Sequence, residues 1–140
     1  TDAAISVWGA DRVGVHLAPR QDAHDMGDAN PRETFGYVAR ELGKRGVAFI
    51  CTREKEGEDS LTPYLKEQFG GLVIANERFT KAQANAWLAA GKADAVAFGI
   101  PFIANPDLVE RLAQDAPLNE PRPELFYAQG PVGYIDYPRL

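Results

Sequence analysis

Residues 95–108 read AVAFGIPFIANPDL, and three features of this stretch decide the fold. The apolar run at residues 95–98 is typical of a strand that is buried on both faces. Gly99 ends the run, and residues 105–107, Asn-Pro-Asp, then form the cap-and-proline pattern that begins a helix. The stretch therefore predicts a strand, a turn and a helix that starts near Asn105.

The same strand-and-helix unit occurs three more times towards the amino terminus. The earlier apolar runs lie at residues 13–17, 47–52 and 72–75. A proline-led helical pattern follows Asn30 and ends at Gly43 or Gly46, a shorter one starts at residues 59–60, and Thr80 caps a third. Strand and helix thus alternate four times, which predicts a parallel sheet with crossover helices. A flavodoxin-like sheet fits this pattern too, although no Gly-x-Gly-x-x-Gly turn follows the first run.

Composition limits the classes of partner. The chain has 140 residues, 45% of them hydrophobic, and a net charge of -5 without a basic stripe, so a nucleic-acid partner is not expected. No apolar run is long enough to cross a bilayer, so no membrane partner is expected either. The single cysteine, Cys51, suits a reducing cytoplasm, and its apolar neighbours favour a small core residue over a nucleophile.

Four segments of the chain resemble the old yellow enzyme family of flavin-dependent ene reductases. They are RVGVHLAP at residues 12–19, FGIPFIANPDL at 98–108, PLN at 117–119 and GYIDYP at 133–138, and they occur in the family's order. The resemblance implies an α/β fold that is the carboxyl-terminal half of a (β/α)8 TIM barrel, since a complete barrel needs about 250 residues. Residues 1–140 would form βα units five to eight, with residues 117–140 as a carboxyl-terminal tail.

The resemblance also implies an enzyme. The full-length protein would be an oxidoreductase with FMN as its cofactor, which uses NADH or NADPH to reduce activated alkenes, and in some relatives nitrate esters or nitro compounds. The chain would need the missing amino-terminal half of the barrel, or self-association, to cover its open face. The alternative is an isolated half-barrel without catalytic competence that assembles with a partner half or with itself, and a flavodoxin-like binding module is a third, weaker reading.

The loops after the last two strands are candidates for a phosphate site. In barrels of this type, such loops often bind phosphate through backbone N–H groups and the amino end of a helix. Here they are residues 75–78, Ala-Asn-Glu-Arg, and residues 99–101, Gly-Ile-Pro. Gly99 would let a phosphate approach the backbone closely, or would only make a tight turn, and the sequence alone leaves both open.

Position in the family's motifs assigns the individual residues. FMN contacts are implied at His16, Ala75, Asn76, Glu77, Gly99 and Ile100, and a substrate contact at Tyr134. Two of these depart from the family, because His16 and Ile100 stand where it has arginines facing the flavin ring and the flavin phosphate. Arg78 is a candidate to replace the second cation, and a lower flavin reduction potential follows from the loss of the first.

The remaining polar segments are assigned no chemistry. No catalytic residue is expected in this chain, because the family's substrate-anchoring pair and proton-donating tyrosine lie in the amino-terminal half of the barrel. No metal site is expected either. His24, Asp25 and Asp28 are one histidine and two scattered carboxylates in an acidic loop, and such side chains are usually only solvated. Residues 53–59 are interpreted as a charged loop, with contact to substrate or nicotinamide as the alternative.

Overall fold

The structure, a computed structural model, describes residues 1–20 and 26–140. The chain divides into two compact units, residues 1–97 and residues 98–140. His24 and Asp25, which were considered as metal ligands, lie outside the described residues. Asp28 is described, and its carboxylate accepts a hydrogen bond from the backbone N–H of Asn30 at 2.6 Å.

The first unit alternates strands and helices after an amino-terminal helix. Its elements are α1 (Asp2–Trp8), β1 (Gly14–Leu17), α2 (Pro31–Lys44), β2 (Phe49–Arg53), α3 (Thr62–Phe69), β3 (Leu72–Asn76), α4 (Lys81–Ala89) and β4 (Ala95–Ala97). All four predicted strands are present, with their ends shifted by one or two residues. Thr80 caps α4 as predicted, because its side chain accepts from the backbone N–H of Gln83. The sequence did not predict α1.

The four strands form one parallel sheet in the order β1-β2-β3-β4. A flavodoxin-like sheet would place β1 between β2 and β3, because its strand order reverses at a switch point. A barrel instead adds each strand beside the one before it. The observed order therefore excludes the flavodoxin-like alternative and agrees with four consecutive units of a barrel.

The helices of the first unit cover one face of this sheet. Inward residues of the strands, such as Ile50 and Val73, join a core with Leu42, Leu65 and Phe69. The next residues along each strand point to the opposite face, where Gly14, His16, Phe49 and Leu72 are exposed, Leu72 by 60%. The sequence predicted strands that are buried on both faces. Within the described residues this is wrong, because the sheet is covered by helices on one face and exposed on the other.

Helices α2 and α3 pack closely at a glycine. Gly43 lies inside α2 rather than ending it, and a Cβ at this position would lie 2.3 Å from the carbonyl oxygen of Phe69. Of the two glycines predicted to stop the helix, Gly43 therefore does not, because it is required by the close approach of α3, and Gly46 is the one that follows the end of the helix. Gly46, which follows the helix, has a φ of 64° and makes the turn towards β2.

The second unit contains two short helices, α5 (Ile100–Ala104) and α6 (Leu108–Gln114), and a 3₁₀ turn, Pro123–Leu125. The sequence predicted a single helix from Asn105, so an additional helix directly after the strand was missed. Asp107 and Arg111 form a buried ion pair at 2.7 Å, and Arg111 also donates to the carbonyl oxygens of Pro117 and Pro138. These bonds fix the carboxyl-terminal segment against α6.

Candidate functional site

His16 lies on the open face of the sheet. It is directly opposite Cys51 in the register of β1 and β2, and its side chain is exposed. Cys51 is half-buried on the same face, and burial raises the pKa of its thiol, so the neutral form is favoured at neutral pH. The cysteine is therefore not the fully buried core residue that its neighbours in sequence suggested.

The carboxyl end of β3 contributes backbone rather than side chains. The side chain of Ala75 points into the core and is almost fully buried, so only its main chain can reach a ligand. The side-chain amide of Asn76 donates to the carbonyl oxygen of Ala97 at 2.9 Å, which ties the ends of β3 and β4 together. Both residues thus shape this end of the sheet and leave binding to the main chain.

The loop after β3 has an unusual backbone. Glu77 has a φ of 110° and Arg78 a φ of 59°, both in the region that favours glycine. Each such residue costs about 1–3 kcal/mol and is found mainly at functional sites. Within residues 1–20 and 26–140, the backbone N–H groups of Glu77 and Arg78 donate to no acceptor. The loop therefore presents two unpaired donors, which suits an anionic ligand.

The carboxylate of Glu77 is held between two guanidinium groups. Arg53 Nε lies 2.8 Å from one carboxylate oxygen and Arg78 Nε 3.3 Å from the other. The hydrogen bond from Arg53 lowers the pKa of Glu77, whose side chain is only 15% exposed. Arg78, which was considered as a replacement cation for the phosphate, is engaged with this carboxylate but remains largely exposed.

Residues 53–59 are not simply a solvated loop. Glu54 is 1% exposed, and its carboxylate accepts hydrogen bonds from the backbone N–H groups of Leu61 and Thr62 and from the hydroxyls of Ser60 and Thr62. Arg20 also approaches it, with Nη1 at 3.5 Å. Glu54 therefore satisfies the first N–H groups of α3, a task that the sequence assigned to Asp59 or Ser60. The only sequence signal for this role of Glu54 is that Leu61, at the N-cap of α3, has no side chain that could cap the helix.

In the second unit, Gly99 precedes α5. Its φ of -93° is open to any residue, and a Cβ there would meet no atom within 4 Å. Its own N–H and that of Ile100 donate to no acceptor in the described part of the chain. Neither backbone strain nor packing explains this glycine, whereas free donors beside open space suit an approaching phosphate. The exposed side chain of Ile100 supplies no charge.

Tyr134 lines an apolar cavity of about 440 Å³ within the second unit. The other residues of its wall are Phe102, Ile103, Pro106, Ile135 and Tyr137. Tyr134 itself is largely exposed, so its hydroxyl is accessible. The described residues contain no group of three or more His, Cys, Asp or Glu side chains that is arranged to hold a metal ion.

Comparison with known proteins agrees with the barrel-like order of the strands. The model of the NADH:flavin oxidoreductase / NADH oxidase family matches residues 2–119. The chain belongs to this family. It is 35% identical over 98% of its length to a probable flavin mononucleotide-dependent alkene reductase of Leishmania infantum, and it covers 38% of that relative.

Two solved structures show the same relationship in three dimensions. A morphinone reductase in complex with tetrahydroNAD matches 99% of the chain with a TM-score of 0.92 and 41% identity, and the chain covers 39% of it. An old yellow enzyme homologue of Zymomonas mobilis matches the whole chain with a TM-score of 0.95 and 35% identity, with 42% of it covered. The predicted resemblance and the half of a (β/α)8 barrel are therefore confirmed.

Family membership also confirms FMN as the expected cofactor of the family, with a nicotinamide as its reductant. Within the described part of the first unit, the unpaired N–H groups of Glu77 and Arg78 are donors of the type that a phosphate requires, and the same holds within the second unit for those of Gly99 and Ile100. The chain spans about 40% of the length of the relatives it matches, so nearly two thirds of such a protein has no counterpart here. Among the described residues, every helix lacks the length or the apolar character needed to cross a membrane.

Proposed function

We propose that this chain is the carboxyl-terminal half of an FMN-dependent ene reductase that uses NADH or NADPH. The observation that carries the proposal lies in the strained loop at Glu77 and Arg78, at the carboxyl end of β3, where two backbone N–H groups donate to no acceptor among the described residues. Phosphate sites of barrels are built at this end of the strands. The Leishmania relative, named as an FMN-dependent alkene reductase, supports the same activity.

In this proposal the chain binds and orients the cofactor. The first unit would contribute His16 and the main chain of residues 75–78, and the second would contribute the main chain of Gly99 and Ile100. When bound, FMN supplies the hydride chemistry between the nicotinamide and an activated alkene, or in some cases a nitrate ester or nitro compound. Tyr134 and its apolar cavity would contact the substrate. The residues that anchor the substrate and donate the proton would come from the amino-terminal half.

His16 and Ile100 stand where the motifs of the resemblance imply arginines, so the proposed site would be less cationic than the family's pattern. Ile100 provides no guanidinium for the phosphate, whose binding would then depend on backbone donors and be weaker by about 1.5–3 kcal/mol. His16 in place of arginine would favour reduced flavin less. The proposed enzyme is therefore one with a modest flavin affinity and a low flavin potential.

The open face of the sheet supports an amino-terminal half as the partner. Phe49 and Leu72 are exposed there, and β1 and β4 each have one unpaired edge within the described sheet. Exposed apolar faces and free edges favour association. The same exposed face and free strand edges also favour the second candidate, an isolated half-barrel that assembles with itself. Residues 117–140 as a tail and a cytoplasmic location remain predictions.

The purified product of the complete reading frame tests the proposal. We expect a yellow protein with the absorbance of bound flavin, which releases FMN on denaturation and oxidises NADH or NADPH when an enone such as 2-cyclohexenone is added. The 140-residue chain alone, prepared in parallel, is the comparison for the role of the missing half. A complete gene product that is colourless, oligomeric and does not take up added FMN would overturn the proposal in favour of the self-assembling half-barrel.

A further inference from the structure

The ion pair between Arg53 and Glu77 joins the ends of two strands. Arg53 is the last residue of β2 and lies opposite Asn76, the last residue of β3, so Glu77 is the first residue beyond the sheet. The two side chains meet at 2.8 Å. Arg53 lies on the same face of the sheet as His16. His16 pairs with Cys51 of the neighbouring strand, and Arg53 is two residues beyond Cys51 along β2.

Glu77 needs such an anchor because of its backbone. A residue with a side chain stays at a φ of 110° only when its surroundings fix it there. Two bonds fix the preceding residue: Asn76 accepts from the backbone N–H of Glu54 at 3.1 Å and donates through its side chain to Ala97. Of the cations that hold Glu77 itself, Arg78 belongs to the strained loop, so Arg53 is the one supplied by the sheet.

The charge of Glu77 poses a second requirement. Its carboxylate belongs to one of the two residues whose N–H groups would face a phosphate, and two anions close together repel each other. Arg53 compensates this charge from a neighbouring strand, and the low exposure of Glu77 makes the compensation stronger than it would be in open water. Loss of Arg53 would therefore both release the strained backbone and leave an uncompensated anion beside the loop.

We propose that Arg53 is a positioning residue for the flavin phosphate, which acts through its ion pair with Glu77 to keep the loop after β3 in its binding conformation. This inference rests on the proposed function, because it concerns the same loop. Arg53 would not touch the flavin. Its effect on FMN would depend on the presence of the Glu77 side chain, and this dependence distinguishes it from a cation that contacts the phosphate directly.

A double-mutant cycle on the complete protein tests the inference. FMN is removed, and the dissociation constant for added FMN is measured from the quenching of flavin fluorescence. We expect Arg53→Gln to weaken FMN binding about tenfold, and Arg53→Lys to restore part of the affinity because it keeps the charge. Glu77→Gly supplies the second background, since glycine adopts the positive φ without strain and has no carboxylate for Arg53 to hold.

The decisive comparison is the double variant. With glycine at position 77, Arg53→Gln should have no further effect on FMN affinity. An equal loss in both backgrounds would show that Arg53 acts on FMN directly and would overturn the inference. Arg40→Gln, which removes an exposed arginine bonded to Gln68 on the helical layer, is the matched control and should leave the affinity unchanged.

Failure of the inference can be told apart from failure of the proposed function. If wild type takes up no FMN, the proposed function fails, and the inference fails with it. If wild type binds FMN and Arg53→Gln binds it equally well, only the inference is overturned. Thermal unfolding of each variant identifies any that does not fold. If Arg53→Gln does not fold, Arg53→Lys replaces it in the wild-type and Glu77→Gly backgrounds, and an equal effect on FMN affinity in both backgrounds would overturn the inference.

Discussion

The carboxylate of Glu54 accepts hydrogen bonds from the backbone N–H and from the hydroxyl of Thr62, both at 2.6 Å. Glu54 follows β2 and Thr62 begins α3, so this contact joins the end of a strand to the start of the helix that follows it. The buried carboxylate replaces a local cap, because Leu61 at the N-cap has no side-chain acceptor. A charged residue thus has a structural role at this end of the sheet.

Glu54→Ala should destabilise the protein strongly. The change leaves the donors at Leu61 and Thr62 without an acceptor in a buried place, which we expect to lower the free energy of unfolding by about 3 kcal/mol. Urea unfolding of the complete protein measures the effect. Glu58→Ala, in the exposed part of the same loop, is the control and should change stability by less than about 0.5 kcal/mol. Equal effects would contradict the role assigned to Glu54.

Gly43→Ala should also destabilise the fold, although alanine favours helices. The new methyl group would lie 2.3 Å from the backbone oxygen of Phe69, so α2 and α3 must move apart at a cost of about 1–3 kcal/mol. Gly36→Ala in the same helix is the matched comparison, because its methyl group would meet the hydroxyl end and ring edge of the Tyr64 side chain, which can turn aside, rather than a backbone atom. We expect a clearly higher unfolding temperature for Gly36→Ala than for Gly43→Ala, and the reverse order would refute this account of the contact.

Asp94 should contribute stability that disappears in acid. A hydrogen bond from Lys66 and another from the backbone N–H of Val73 lower its pKa below the ordinary value of 3.8. A carboxylate whose pKa is lowered in the folded state stabilises the protein at pH values above 3.8. This contribution is lost as the pH falls through the lowered pKa of the folded state. Wild type should therefore exceed Asp94→Asn in unfolding free energy at neutral pH, and the difference should shrink below pH 3.8. A difference independent of pH would contradict the assignment.

Gly99→Ala should separate binding from stability. A Cβ at Gly99 meets no protein atom, so we expect the free energy of unfolding to change by less than about 0.5 kcal/mol. If a phosphate occupies the open space, the methyl group should raise the FMN dissociation constant about tenfold or more, the equivalent of one lost charge-assisted hydrogen bond. Flavin fluorescence titration measures it. Unchanged affinity would mean that Gly99 makes only a turn.

His16→Arg should raise the reduction potential of the bound flavin. A guanidinium is charged at every working pH, so arginine at this position favours the more negative, reduced cofactor. Spectroscopic titration against a reference dye compares the potentials of the two proteins. Leu17→Ile is a control for a change on the other face of the same strand. Equal potentials in wild type and His16→Arg would place position 16 away from the flavin ring.

Sequence reasoning was most successful for the sheet. Short apolar runs located all four strands, and Thr80 marked the start of α4, because buried segments and caps leave local patterns. It missed the positive φ of Glu77 and Arg78, since neither residue type signals it. It also missed the packing of Gly43 against the distant Phe69, and the hydrogen bonds that Glu54 accepts from residues six to eight positions along the chain. These three cases concern tertiary contacts or strain, which no local pattern encodes.

Each strand of the sheet pairs only with its neighbours in the chain, from β1 through to β4. Each of these parallel pairings closes a crossover that contains a helix, as between Gly14 and Phe49, and the entropy of closing such long connections slows sheet formation. We therefore expect the helices of the first unit to form before its sheet during refolding. The last event would be the arrival of the polypeptide that shields Phe49 and Leu72, and until then these side chains would remain sites for chaperone capture.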